Sequence, residues 1–131
     1  MDILKSFGTD SKKETEGVWI DIGPDCSILV ARAATRAYGR ALTKEVEKYK
    51  VALGTKDDVA DDTSDMIMCK VMAEHILLGW KGLSYDGAPL EYSKENAAKV
   101  LAIKDFRKVV MGHADDLANF KAQAEEATVK N

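Results

Sequence analysis

Val18-Trp19-Ile20-Asp21-Ile22-Gly23-Pro24-Asp25-Cys26-Ser27-Ile28-Leu29-Val30 is the stretch on which the reading of the fold turns. Val18–Ile22 alternates and is β-branched, which predicts a half-buried strand. Gly23-Pro24-Asp25 is turn chemistry. Ser27–Val30 is a second β-branched run. Two such runs across a four-residue turn predict a β-hairpin, Val18–Ile22 against Ser27–Val30. The competing reading begins a helix at Ser27.

Before the hairpin the chain is polar apart from Ile3, Leu4 and Phe7, and residues 1–13 are expected to be flexible. Thr9 or Asp10 could cap one helical turn that Gly17 ends. After it the apolar period lengthens. Ala34, Tyr38, Ala41, Leu42, Tyr49 and Leu53 recur at three- and four-residue steps, which predicts a helix over 33–53. A second helix is expected over 60–80. Its apolar residues form two stripes, Met66, Cys69, Ala73, Ile76 and Trp80 against Ile67, Val71 and Leu78. A helix apolar nearly all round is either central or half of an interface.

Gly82, Asp86-Gly87 and Pro89 demand a structured turn, which Tyr85, Leu90 and Tyr92 would pin to the body. Ser93 caps a short helix over 94–102. The last helix is expected over 104–124, with Ile103, Phe106, Val110, His113, Leu117 and Phe120 as a heptad seam. Residues 125–131 are expected to fray. The fold class expected is mainly α, a single small helical domain with one N-terminal β-hairpin and three to four helices.

Composition limits function. The 131 residues are one domain by length. Apolar residues make up 46%, which excludes a disordered tail. Nineteen basic residues against 22 acidic ones give a net charge of −3, so a global basic field for nucleic acid is absent. Cys26 and Cys69 form no CxxC pair and read as free thiols of a reducing cytosol. No apolar run approaches the ~20 residues of a membrane span. The opening MDILKSFGTD has no signal-peptide core. A soluble, cytosolic product is expected.

Several groupings of charged and soft-ligand residues bear on chemistry. Arg32, Arg36, Arg40, Lys44 and Lys48 fall every four residues, either a solvated helix face or a surface for nucleic acid or an acidic partner. The row drifts ~40° per step around its helix, so it is not focused on a groove. Asp57, Asp58, Asp61, Asp62 and Asp65 fit the positive end of a helix and lack the spacing of a calcium loop. The basic and acidic sets could pair within one chain or between chains. Met68, Cys69, Met72 and His75 are a thin soft-metal set, better read as gap-fillers. His113 beside Asp116 lacks a nucleophile. No GxSxG, HExxH, Walker A or GxGxxG motif occurs, so no enzyme, metal or cofactor is expected.

The motif order GVWIDIG, then LVARAATRAYGRAL, LLGWKGLSYDGAPLEYSKENAAKVL and DFRKVVMGHADDLANF resembles the tail assembly chaperones of long-tailed, siphovirus-like bacteriophages. Gly79-Trp80-Lys81-Gly82-Leu83, Asp86-Gly87 and Leu90-Glu91-Tyr92-Ser93 are the most specific part. The chain departs from that pattern in the alanine-rich stretch Ala31–Ala37.

The resemblance implies a non-enzymatic protein of the host-cell cytoplasm, absent from the mature virion. It implies the phage tape-measure protein as client, kept soluble while tail tube subunits assemble around it. The tail tube protein and a frameshifted longer form of the chain itself are implied as further partners. Nucleic acid and membrane are not expected as partners, and weak, concentration-dependent self-association is. The tape-measure protein is largely long helix, so helix-in-groove contacts are expected. The candidate contact residues are Ile67, Val71 and Leu78, with Arg36, Arg40 and Lys44 for steering. The alternative is a small regulatory or nucleic-acid-binding module that uses the basic helix 32–48.

Overall fold

The computed structural model describes residues 1–122; the expected fraying of 125–131 lies outside the described residues. The elements are α1 (Ile3–Phe7), α2 (Ser11–Glu16), β1 (Val18–Gly23), β2 (Cys26–Val30), α3 (Arg36–Lys48), α4 (Lys50–Leu53), α5 (Asp58–His75), β3 (Leu77–Lys81), β4 (Ser84–Tyr85), β5 (Ala88–Pro89), α6 (Lys94–Leu101) and α7 (Lys104–Ala114), then a 3-10 turn, Leu117–Phe120. Residues 1–13 hold α1 and the first residues of α2.

The architecture is a small α+β domain with two antiparallel sheets, which corrects the expected mainly helical chain with one N-terminal hairpin. The strands begin at Val18, behind two short helices, and β1 and β2 do not stand alone. β3 pairs with the other side of β2, giving the order β1-β2-β3. The expected helix over 60–80 stops at His75, and Leu77–Lys81 is strand.

Register explains why the strand prevails. Ile20, Ile28 and Trp80 sit opposite one another across the three strands. Ile28 and Trp80 are buried on that row, and Ile20 packs against the same core. The solvent face carries Trp19, Leu29 and Gly79 in the next row. Gly79 has no side chain there, and a Cβ would lie 3.7 Å from the Trp19 ring. Lys81 Nζ sits 4.2 Å from the centroid of that ring. The pairing skips between Leu29 and Val30, because Gly79 faces Leu29 while Leu77 faces Val30. Leu78 is the extra residue of this bulge.

The starts of α3, α5 and α6 are set by local chemistry. The Thr35, Asp57 and Ser93 side chains accept from the backbone N–H groups of Tyr38, Val59 and Asn96. The expected helix 33–53 therefore starts at Arg36, and it breaks at Tyr49 into α3 and α4. α5 is the central helix, with α3 and α4 packed on one flank and α6 on another. Ile67, Val71, Met72 and Ile76 are consequently buried with Ile28, Val30, Leu77, Leu101 and Val110. The expected helix 104–124 ends at Ala114. Asp116 accepts from Ala118 N at 3.0 Å and opens the 3-10 turn that buries Phe120.

Candidate functional site: an apolar groove between α5 and α6

Arg107 fixes how the helices around this site meet. Its Nη2 donates to Asp65 Oδ1 at 2.8 Å, and its Nη1 donates to the Leu101 carbonyl at 3.1 Å and reaches Cys69 Sγ at 3.5 Å. One guanidinium from the first turn of α7 thus holds the C-terminal end of α6 against the middle of α5. The Leu101 carbonyl is one of the acceptors left over at a helix end, so this contact is also a C-terminal cap.

Between these helices runs a groove of about 530 Å³. Met66, Cys69 and Ala73 of α5, Ala98 of α6 and Ala102 just beyond it form its apolar floor. Asp65, Lys70, Glu74, Lys94, Glu95 and Arg107 form a rim of mixed charge. The sequence builds this trough from alanines. Ala97 is fully buried where α6 meets the core, and its small side chain brings α6 close to α5. Ala98 and Ala102 then leave the outer side shallow. Met66, 40% exposed, is the largest apolar group on offer. An apolar floor with a charged rim suits the apolar side chains of an amphipathic helix.

On the opposite flank of α5, the buried carboxylate of Glu45 on α3 pairs with the Lys70 ammonium. That hydrogen bond holds the Glu45 carboxyl below the usual glutamate range and raises Lys70 above the usual lysine value. Burial, with the negative charge of Asp115 adding to it, raises the Tyr38 phenol. Burial alone raises Tyr92.

The expected contact residues fall in different places. Ile67 and Val71 are core, only 2% and 1% exposed, so they offer nothing to a partner. Two stripes on one helix meant a central helix. Leu78 is half-buried in the β3 bulge. In the other stripe Met66 is exposed and Cys69 half-buried, and sequence reasoning did not choose them as contact residues. The signal was present in Ala98 and Ala102, whose small side chains in α6 and just beyond its end leave Met66 uncovered.

Arg36, Arg40 and Lys44 are exposed on α3 and make no ion pair among the described residues. Arg32 leaves the row. It lies before α3, pairs with Glu14 at 3.5 Å and stands 5.8 Å from the centroid of the Phe120 ring. Lys48 lies 5.4 Å from the centroid of the Tyr49 ring. Met72 is buried, and the His75 imidazole is 3.9 Å from Glu74. Asp116 caps the 3-10 turn rather than meeting the His113 ring. Among the described residues no group of three His, Cys, Asp or Glu is placed to hold a metal ion, and no helix is long and apolar enough to cross a membrane.

These features define a small α+β domain with an apolar, helix-lined groove and a separate basic helix face. The chain belongs to the YdaY prophage protein family, whose model matches residues 33–131. It is therefore phage-derived, and the match is not specifically to a tail assembly chaperone. The matched residues contain both the groove and the basic face. No curated protein and no solved structure matches the chain.

Proposed function

We propose that this prophage protein is a non-enzymatic assembly chaperone of the host-cell cytoplasm, and that its client is the tape-measure protein of its own phage. The observation that carries the reading is the groove between α5 and α6. Its floor of Met66, Cys69, Ala73, Ala98 and Ala102 is apolar, shallow and bordered by charges of both signs. A client helix lays one apolar stripe on that floor and turns its polar flanks to the rim. The tail tube protein and a frameshifted longer form of this chain belong to the same proposal. Phage origin and the motif order Gly79-Trp80-Lys81-Gly82-Leu83 with Asp86-Gly87 support it.

The test is co-expression with the tape-measure protein of the same prophage. The wild-type chain should hold that protein in the soluble fraction. Met66→Asp and Ala98→Glu put a charge on the exposed floor, and both should return the client to the pellet while the variants themselves stay folded. A client that stays insoluble with the wild type, or stays soluble with both variants, overturns the reading.

A further inference from the structure

Each of the two longest helices, α3 and α5, carries an exposed cluster of one sign of charge. On α3, Arg36, Arg40 and Lys44 are exposed at four-residue steps, span ~12 Å and form no ion pair among the described residues. Gly39 lies between them, with open space where a Cβ would stand, so another backbone can approach closely there. At the start of α5, Asp58, Asp61 and Asp62 are exposed and likewise meet no cation among the described residues.

The two sets lie at opposite ends. Glu45 of α3 meets Lys70 of α5, and Ala41 and Lys44 line a cleft with Glu74 and His75. The first half of α3 therefore runs beside the C-terminal end of α5. The aspartates are at the other end of α5, about 20–25 Å away along the helix axis. They cannot neutralise the basic face of their own chain.

We infer that the basic face of α3 docks the aspartate face at the start of α5 in a second copy of this chain, joining copies head to tail. The complement of each surface is present on the same molecule, at helical spacing on both sides. Asp58 and Asp62 are one four-residue step apart, as are Arg36 and Arg40. A duplex nucleic acid is the poorer occupant. Three cations offer few phosphate contacts, and the net charge of −3 with the aspartate cluster repels an extended polyanion. The contact is heterologous, because the two surfaces differ, so it propagates beyond a dimer unless the rotation closes a ring. It uses neither the floor nor the rim of the α5–α6 groove and stands independently of the client proposal.

Sedimentation velocity on the whole chain tests it, over a range of protein concentrations at low ionic strength and again at about 1 M salt, where screening falls to ~3 Å. The wild type should sediment as a concentration-dependent series at low salt and as a monomer at high salt. Arg36→Glu with Arg40→Glu should be monomeric in both, and so should Asp58→Lys with Asp62→Lys. Mixing those two double variants should restore a larger species, because each supplies the complement the other lacks. All these positions are exposed, and circular dichroism checks that both variants are folded. Met66→Asp should leave the series unchanged, which separates this contact from the client groove. A wild type that stays monomeric at low salt overturns the inference. So does self-association of either double variant like the wild type, or a mixture that stays monomeric. A monomer whose binding to a short DNA duplex is lost with Arg36→Glu and Arg40→Glu assigns the face to nucleic acid instead.

Discussion

Trp80 Nε1 donates to the carbonyl of Leu90 at 2.7 Å, and through that bond β3 holds the far arm of the loop that follows it. Tyr92 completes the clasp. Its ring meets the Trp80 ring edge-on, with centroids 5.0 Å apart, and its hydroxyl donates to the Leu77 carbonyl at 2.9 Å. Two aromatic residues thus join the strand, the loop and the entry to α6.

Trp80→Ala should destabilise the domain by about 3–5 kcal/mol, since lost transfer energy and the cavity add. Trp80→Phe keeps most of the packing and leaves the Leu90 carbonyl without its donor, so about 1–2 kcal/mol is expected. Urea unfolding followed by circular dichroism measures both. Equal costs for the two variants would show that the hydrogen bond contributes nothing separable.

Gly82 and Gly87 should respond differently to the same change. Both have positive φ, +74° and +84°. At Gly82 a Cβ would also stand 1.9 Å from the Asp25 carbonyl oxygen, in the β1–β2 turn. At Gly87 it would meet open space. Gly87→Ala should cost about 1–2 kcal/mol, the left-handed backbone alone. Gly82→Ala adds a collision with backbone and should cost about 2–4 kcal/mol. Thermal unfolding of the pair checks the order, and a smaller loss at Gly82 would contradict it.

Arg107→Ala should be more damaging than Asp65→Asn, although the two residues form one ion pair. The Arg107 side chain is 11% exposed and Asp65 is 58% exposed. Asp65→Asn removes a solvent-screened charge, worth under about 1 kcal/mol. Arg107→Ala also removes the cap on Leu101 and the contact with Cys69, so about 2–3 kcal/mol is expected. Chemical denaturation of both variants reads the difference directly.

The Glu45–Lys70 pair sets a dependence on pH whose sign follows from the two shifts. The folded state depresses the Glu45 carboxyl. Its contribution is therefore complete above the ordinary glutamate value, about 4, and fades as pH falls through the lower folded value. Lys70 is raised when folded, so its contribution holds below about 10.4 and fades as pH rises through the folded value. The buried Tyr38 and half-buried Tyr92 phenols are also raised, and their contributions are lost above about 10. Melting temperatures from pH 3 to 6 should fall less steeply on the acid side for Glu45→Gln than for the wild type. Parallel curves would show that the pair does not titrate with folding.

Local signals were readable where the chain supplies its own partner. Ser93 caps α6, and the apolar spacing from Tyr38 to Leu53 packs toward the core side of α3 and α4. What could not be read was decided by residues far away. Met66, Cys69, Ala73, Ile76 and Trp80 keep a helical step with no glycine or proline before Gly79. Only pairing with β2, with Trp80 opposite Ile28, turns Leu77–Lys81 into strand. Ile67 and Val71 are covered because α3, α4, α6 and β3 all pack on α5, more neighbours than its own periodicity reveals. Ala98 and Ala102 marked the groove only by being small, and smallness acquires meaning once the neighbouring helix is placed.

The sheet order also bears on how this chain acquires its shape during synthesis. β1 and β2 can pair as soon as they leave the ribosome, but β2 then shows an unsatisfied edge. That edge waits until α3, α4 and α5 have been translated and β3 arrives. Closing so long a loop is slow, and an open apolar strand edge invites the wrong neighbour in the interval. The family match starts at Ala33, three residues after β2 ends. A fragment cut at that point would leave β3 with no strand to pair with, so residues 1–32 are a built-in template for the part of the chain by which the family is recognised.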